Sequence, residues 1–305
     1  MRKLIVFDID GTLRDETLGV PGSIPFVLEE LKRRGHETAI CTGRSMGMIQ
    51  DDVLNLGVEN LITGGGSYIS HRGIPVFETE LDREAVGRVR QYLAEQCEED
   101  MGAVLESQEE IYMNQTAADI LNSMNREKSK TLTPGQREIF LKNEKIEYRD
   151  NLAAFRPGEV RIHKICMWCS PAAYRYILKI LGAGRTELAQ QGTWKEYGYY
   201  EMIGCGMGKG AAVLRLCELL GIRRQDTIAF GDGRNDIEML KCCGTGIAME
   251  NGAKELFSFA DHICAKPMDH GIYWELLRRG LIGAKAASQT EMSACKSEPL
   301  TEADK

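Results

Sequence analysis

Two aspartates separated by one residue, Asp8 and Asp10, close the apolar run Leu4–Phe7 near the start of this 305-residue chain. Side by side in a partly dry site, two carboxylates repel by about 4 kcal/mol at ~4 Å and an effective dielectric of ~20. A divalent cation removes that penalty, and Mg²⁺ typically pairs with one or two carboxylates plus a substrate phosphate. Gly11 and Thr12 then turn the chain away. On its own the segment also fits a solvated acidic strand end. Three further groups bear on the choice. Thr42-Gly43-Arg44 closes a second apolar run, Lys209 sits inside Gly204-Cys-Gly-Met-Gly-Lys-Gly210, and Asp232 and Asp236 lie in Gly231-Asp-Gly-Arg-Asn-Asp236. Together they make a consistent chemistry. Carboxylates hold a divalent ion, a hydroxyl donates to an anion, and a lysine at a helix start neutralises what the ion does not.

The elements that must carry these groups alternate. Leu4–Phe7 has the length and residue types of a buried strand. Ser23 as N-cap, Pro25 just inside and the stripe Ile24, Val27, Leu28, Leu31 predict a helix closed by Gly35. Glu37–Cys41 is a second strand. A second helix is expected with Met46, Ile49 and Val53 on one face, ending before Gly57. Asn60–Thr63 is a third strand, running into Gly64-Gly65-Gly66. This alternation means an α/β fold with a Rossmann-like, doubly wound parallel sheet. Ligands of such sheets sit at the carboxyl ends of the strands, so Asp8, Asp10 and Thr42 share one edge.

The texture changes near Leu81. A charged amphipathic helix begins at Asp82 with the stripe Val86, Val89 and Leu93. Strands are expected at Ala103–Leu105, Glu110–Met113, Arg161–Trp168 and Tyr199–Ile203. A helix opening at Ser170-Pro171 should turn Tyr174, Ile177, Leu178 and Leu181 inward and end at Gly182. The Lys/Glu-rich stretch from Asn122 to Arg149 carries no decisive period. The first texture then returns: a helix after Lys209 with Val213, Leu216, Cys217 and Leu220 inward, a strand Asp226–Phe230, and strands Gly246–Met249 and His262–Cys264. Residues 1–80 and 204–282 therefore read as one discontinuous core, 81–203 as an inserted α+β module, and 283–305 as a small, polar, disordered tail.

Composition bounds the function. With 43% apolar and 27% charged residues the chain reads as globular, and its net charge of −7 argues against a nucleic-acid surface. The apolar run after Arg2 and Lys3 breaks too early for a secretory leader, and no stretch is long enough to span a bilayer, so the expected compartment is the cytoplasm. Ten cysteines are read as small hydrophobes. Cys166 and Cys169 have the spacing of a redox or zinc pair, but strand alternation would send them to opposite faces. The glycine-rich run around Lys209 is no triphosphate loop: position 203 is Ile, and no Ser or Thr follows the lysine.

In their order along the chain, these motifs resemble the haloacid dehalogenase-like phosphatases, and among them the Cof-type group (type IIB) with its large C2 cap. Asp8-Ile-Asp10-Gly-Thr-Leu13 is similar to the first motif and Cys41-Thr42-Gly43-Arg44 to the second. Lys209-Gly210 matches the third and Gly231–Asp236 the fourth, while Ala248–Ala253, Ala260-Asp261 and Asp269–Gly271 look like the closing elements. The resemblance implies Asp8 as the nucleophile and Asp10 as the acid and base. It implies Asp8, Asp10 (through its backbone carbonyl) and Asp232 as ligands of Mg²⁺, with Asn235 and Asp236 in the second shell. Thr42 and Lys209 complete the catalytic group, and Gly43 and Arg44 are expected on the substrate. Cof-type chains often carry Asn-Gly after the third strand; here Thr63-Gly64-Gly65-Gly66 departs from that.

The expected activity is Mg²⁺-dependent hydrolysis of a small phosphorylated metabolite, of sugar phosphate type, through an aspartyl-phosphate. Neither nucleic acid nor membrane is expected as a partner, and the chain should be a monomer or small homo-oligomer. Two rivals stand beside this reading: a phosphomutase using the same intermediate, and a non-catalytic phosphate-binding regulator on the same fold. Arg156, Arg161, Lys164 and Trp194 are polar or aromatic residues of the inserted module that could touch substrate, with no ranking among them.

Overall fold

The structure is a computed structural model that describes residues 1–95, 100–143, 148–181 and 186–284. The chain opens with β1 (Leu4–Phe7), α1 (Ile24–Arg33), β2 (Glu37–Cys41), α2 (Asp51–Leu54), β3 (Asn60–Thr63), β4 (Tyr68–His71) and β5 (Ile74–Glu78). A middle stretch supplies α3 (Arg83–Glu95), β6 (Met101–Glu106), β7 (Ile111–Met113), α4 (Gln115–Lys130), α5 (Pro134–Asn143), β8 (Lys164–Cys169), α6 (Pro171–Leu181), β9 (Thr186–Trp194) and β10 (Tyr197–Gly204). The chain then runs through α7 (Lys209–Leu220), β11 (Thr227–Gly231), α8 (Ile237–Cys242), β12 (Thr245–Met249), α9 (Lys254–Phe257), β13 (His262–Cys264) and α10 (Gly271–Arg278). Gly182 and the tail from residue 285 lie outside the described residues. Among the described residues no helix is long and apolar enough to cross a membrane.

The first sheet has eight strands in the order β13-β12-β11-β1-β2-β3-β4-β5. β1 is buried along its whole length, as befits a strand covered on both faces. It pairs in parallel with β2 on one side and β11 on the other, Phe7 opposite Phe230, whose rings stack 5.5 Å apart. Ile24, Val27, Leu28 and Leu31 of α1 pack with α10 on one face of the sheet. Val213, Leu216 and Cys217 of α7 pack with α8 on the other. The second sheet, β7-β6-β8-β10-β9, is antiparallel throughout and comes from the middle of the chain. Cys166 and Cys169 of β8 belong to opposite faces of it, in separate apolar clusters.

Several elements differ from the sequence reading. The first sheet is not wholly parallel, because β4 and β5 add antiparallel strands at one edge. Their two-residue turn, Arg72-Gly73, has positive φ at both positions, as a tight hairpin requires. Pro75 is tolerated because β5 is the edge strand. The second helix is broken: a 3₁₀ turn at Met46–Met48 is followed by extended Ile49 and Gln50 before α2 begins. The Met48 carbonyl accepts from Arg44 Nη1 at 3.0 Å instead of serving a continuing helix. Ser23 precedes α1 but makes no capping bond; its Oγ lies 2.9 Å from His270 Nδ1. Leu178, placed inward by its spacing, is 45% exposed; α6 buries Ile177, as expected, together with Ala173.

Candidate active site

The pairing of β1 with β11 brings two acidic loops together. The chain leaves β1 with the Asp8 amide donating to Phe230 O at 3.0 Å. Gly11 then turns back at φ +77°, and a Cβ there would stand 2.2 Å from Asp232 Oδ2, so only glycine allows this approach. Thr12 Oγ1 donates to Asp232 Oδ1 at 3.1 Å and clamps the two loops. Lys209, the first residue of α7, reaches back to Asp8 Oδ1 at 2.5 Å and Asp236 Oδ1 at 2.6 Å. The other oxygen of Asp236 accepts the amides of Asp232 and Gly233 at 3.0 and 2.9 Å. Carboxylate oxygens of Asp8, Asp232 and Asp236 all lie within 4.8 Å of one another.

This arrangement is electrostatically frustrated. Burial pushes Asp8 well above the usual carboxylate range; Asp236 adds to the effect and Lys209 opposes it. Asp232 rises to about 7, first by burial and then by the Asp236 charge. Burial works against the Lys209 ammonium as well, but Asp236 and Asp8 outweigh it and keep the lysine protonated. One ammonium cannot balance three carboxylates, two of them buried and the third half-buried. An all-oxygen donor set with excess negative charge suits a hard divalent cation such as Mg²⁺, so the residues present fit one.

The loop after β2 forms the facing wall. Thr42 is 1% exposed, and its Oγ1 accepts the Arg44 amide at 3.1 Å. The Gly43 carbonyl accepts from Lys164 Nζ at 2.7 Å. A Cβ on Gly43 would stand 3.5 Å from Asn235 Nδ2, so Asn235 leans from the fourth motif toward the second. Arg44, read as a substrate contact, is turned to Asp10: Nε donates to Oδ2 at 2.5 Å and Nη2 to Oδ1 at 3.0 Å. Asp10 itself stands outside the carboxylate trio.

Asp8, Asp10, Thr42, Gly43, Arg44, Lys209, Asp232, Asn235 and Asp236 thus border one region at the carboxyl ends of β1, β2 and β11, and Lys164 reaches it from the second sheet. Arg161 instead pairs with Glu78, Arg156 donates to the Ala153 carbonyl, and Trp194 packs against an apolar cluster of the second sheet. Asp236, read as a supporting residue, belongs to the trio itself. Four contributors were missed. Thr12 reads in the sequence as a turn former, although a hydroxyl beside an acidic pair is a signal for it. Asn251, which ties its Nδ2 to the Gly11 carbonyl at 2.9 Å, sat in a quoted motif without a role. Glu106 and Glu201 meet Lys164 from the second sheet, at 3.2 and 3.4 Å. Nothing local in the sequence marks that meeting.

Doubly wound core, antiparallel second sheet and aspartate cluster together fit one class of hydrolase. The chain belongs to the haloacid dehalogenase-like hydrolases, whose family profile matches residues 5–276. Within that family it is a Cof-type phosphatase. It is 28% identical over 281 residues to the Bacillus subtilis protein YkrA, covering 92% of this chain and 98% of that protein. It is 26% identical to a phosphoglycolate phosphatase of Methanopyrus kandleri, over 89% of this chain and 94% of the other. The sugar phosphatase BT4131 of subclass IIB shares the fold with a TM-score of 0.70 at 20% identity, over 92% of this chain and all of that one.

Proposed function

We propose that this chain is a Mg²⁺-dependent phosphomonoesterase that transfers the phosphoryl group of a small metabolite to Asp8 and then to water. The observation that carries the reading is the Asp8 carboxylate. It is buried, held at one oxygen by Lys209, and stands where β1 meets the loops that end β2 and β11. An oxygen of Asp8 attacks phosphorus, the ester P–O bond breaks, and Asp10 gives a proton to the departing alkoxide. Water then attacks the aspartyl-phosphate, Asp10 takes its proton, and inorganic phosphate leaves. Splitting one displacement in two is what makes a weak carboxylate nucleophile serviceable.

Around these steps the protein mostly positions and neutralises, since the transition state is loose. Thr42 Oγ1 and the Gly43 amide bind the transferring oxygens, Lys209 offsets their charge, and the Arg44 fork fixes the orientation of Asp10. Asp8, Asp232 and the Asp10 backbone carbonyl would hold Mg²⁺, with Asp236 and Asn235 supporting them. When bound, the ion supplies charge neutralisation at the phosphoryl oxygens. Residues 1–80 and 204–282 would act as the catalytic core, and 81–203 as the cap that closes over it and excludes water.

The test is phosphate release from a panel of sugar phosphates, nucleotides, pyridoxal phosphate and flavin mononucleotide, with Mg²⁺, with EDTA, and with Asp8→Asn. Metal-dependent release that vanishes in the variant is the expected result. Release untouched by the substitution, or none from any compound, refutes the reading.

A further inference from the structure

Between β2 and α2 the chain makes a detour that its apolar spacing does not require. Had the helix expected after Arg44 formed, Gln50 would stand about 9 Å along its axis and about 120° round it, out of reach of Arg44. Instead the 3₁₀ turn at Met46–Met48 gives way to extended Ile49 and Gln50. Ile49, 1% exposed, is seated in the core, and two residues after Gln50 the Asp52 carboxylate accepts from Arg14 Nε at 3.0 Å. Arg14 belongs to the same loop as Asp10: the two bridge, and the Arg14 carbonyl accepts the Gly11 amide at 2.9 Å. Pinned on both sides, the detour brings the Gln50 side chain, 7% exposed, against the Arg44 guanidinium.

The Gln50 amide has one orientation that its neighbours accept. With the oxygen toward Arg44 it receives Nη1 at 3.0 Å and Nη2 at 3.1 Å, whereas the reverse sets donors against donors. A guanidinium carries five N–H donors in a fixed planar fork. Nε and one Nη2 donor of Arg44 go to Asp10, and one Nη1 donor goes to the Met48 carbonyl. Gln50 accepts the remaining donor of each Nη. All five are therefore used within the protein. Arg44 has none left for a phosphoryl oxygen or a substrate hydroxyl, although its place after Thr42 and Gly43 suggests one.

We infer that Gln50 is a positioning residue for proton transfer by Asp10. With the Met48 carbonyl it holds the Arg44 fork in the pose from which both Asp10 oxygens are reached, and so fixes how Asp10 faces the leaving group. When the ester P–O bond breaks, the proton passes from the Asp10 carboxyl to the departing alkoxide, and a carboxyl free to swing would miss it. Arg44 and Gln50 act through Asp10 and touch no substrate. This inference rests on the phosphatase reading above.

The experiment compares kcat/KM for benzyl phosphate, which departs as an alkoxide, with that for p-nitrophenyl phosphate, whose phenolate needs no proton. Wild type, Gln50→Leu and Arg44→Lys are measured. Neither ester carries a sugar hydroxyl, and kcat/KM covers only the steps up to departure. In both variants benzyl phosphate should lose roughly tenfold or more, part of the about 10²–10⁴ that general acid–base catalysis supplies, while p-nitrophenyl phosphate changes by less than about threefold. A purely structural role would lower both alike. Calorimetry with inorganic phosphate in Mg²⁺ gives a readout apart from turnover. Arg44→Lys keeps the charge but not the fork, and should bind phosphate within about threefold of wild type. Arg44→Lys carries both arms if Gln50→Leu does not fold, and calorimetry decides alone if wild type refuses both esters yet hydrolyses a compound of the panel. Equal losses on the two esters, or no loss on either, overturn this inference and leave the phosphatase reading standing. So does a fall of more than about tenfold in phosphate affinity for Arg44→Lys, which would make Arg44 a substrate ligand. A wild type inactive on both esters and on the whole panel overturns the phosphatase reading and this inference with it.

Discussion

Replacing Lys209 by Met keeps the length of the side chain and removes the only ammonium within reach of Asp8 and Asp236 among the described residues. The Lys209 side chain is 2% exposed and those of its partners 9% and 0%, so water cannot take its place without rearrangement. Breaking a buried ion pair from one side costs on the order of 3–5 kcal/mol, because the orphaned charge stays buried. For a domain of this size that corresponds to a fall of about 10 °C in Tm. The assay is thermal unfolding in EDTA and again in saturating Mg²⁺. In EDTA the full loss should appear. In Mg²⁺ the gap to wild type should shrink, since the variant's cluster, one positive charge poorer, binds the cation more tightly than the wild-type cluster and gains more stability by mass action. Asp236→Asn in the same background should recover part of the loss, with a coupling of about 1–3 kcal/mol. A Lys209→Met protein that melts within about 2 °C of wild type in EDTA would show that the three carboxylates do not share this charge. Strict additivity with Asp236→Asn would say the same.

The other consequences concern single contacts. Gly11→Ala must displace Asp232 Oδ2, which would lie 2.2 Å from the new methyl, and must hold a left-handed φ; Mg²⁺-dependent phosphate release should fall sharply while circular dichroism stays native. Thr12→Val removes the hydroxyl that orients Asp232, so Mg²⁺ affinity measured by calorimetry should drop about 10- to 100-fold. Burial alone would raise Glu275, but the Arg278 and Arg279 hydrogen bonds outweigh it and hold its carboxyl below the ordinary value of 4.5. The depressed folded-state value means its contribution is fully present above the unfolded value and is lost as pH falls through the lower one. The Tm gap between wild type and Glu275→Gln should be constant from pH 6 to 8 and close below pH 4.5.

Much of the core sheet was readable because parallel strands covered on both faces are written as short apolar runs. Leu4–Phe7, Glu37–Cys41, Asn60–Thr63 and His262–Cys264 are strands within the bounds their sequence suggests. What went unread was the edge. β9, with Glu187, Gln190 and Gln191 along it, has neither an apolar run nor clean alternation, because an edge strand of a small sheet need bury little. β4 and β5 were missed although Arg72-Gly73 is a two-residue hairpin turn, since Gly64-Gly65-Gly66 drew the reading toward a loop. The helix after Arg44 failed for another reason. Its spacing is helical, but the Arg44 side chain four residues back takes the Met48 carbonyl that a continuing helix would use.

The candidate site divides along the same line. Asp8, Thr42, Lys209 and Asp232 are each close to a strand end or helix start, and position along an element is something a sequence records. Which partner a side chain finds is not. Arg44 follows a phosphate-binding pattern, and only the structure shows that its guanidinium holds the Asp10 carboxylate. Glu106, Lys164 and Glu201 lie on three strands, and each alone reads as one polar residue on a solvated face. Only the register of β6, β8 and β10 converts them into one buried group over Gly43. The aspartates of the first and fourth motifs sit on loops whose places are set by the order of the core strands. The buried group over Gly43 comes from the pairing register of the second sheet, which the sequence of any one strand cannot specify.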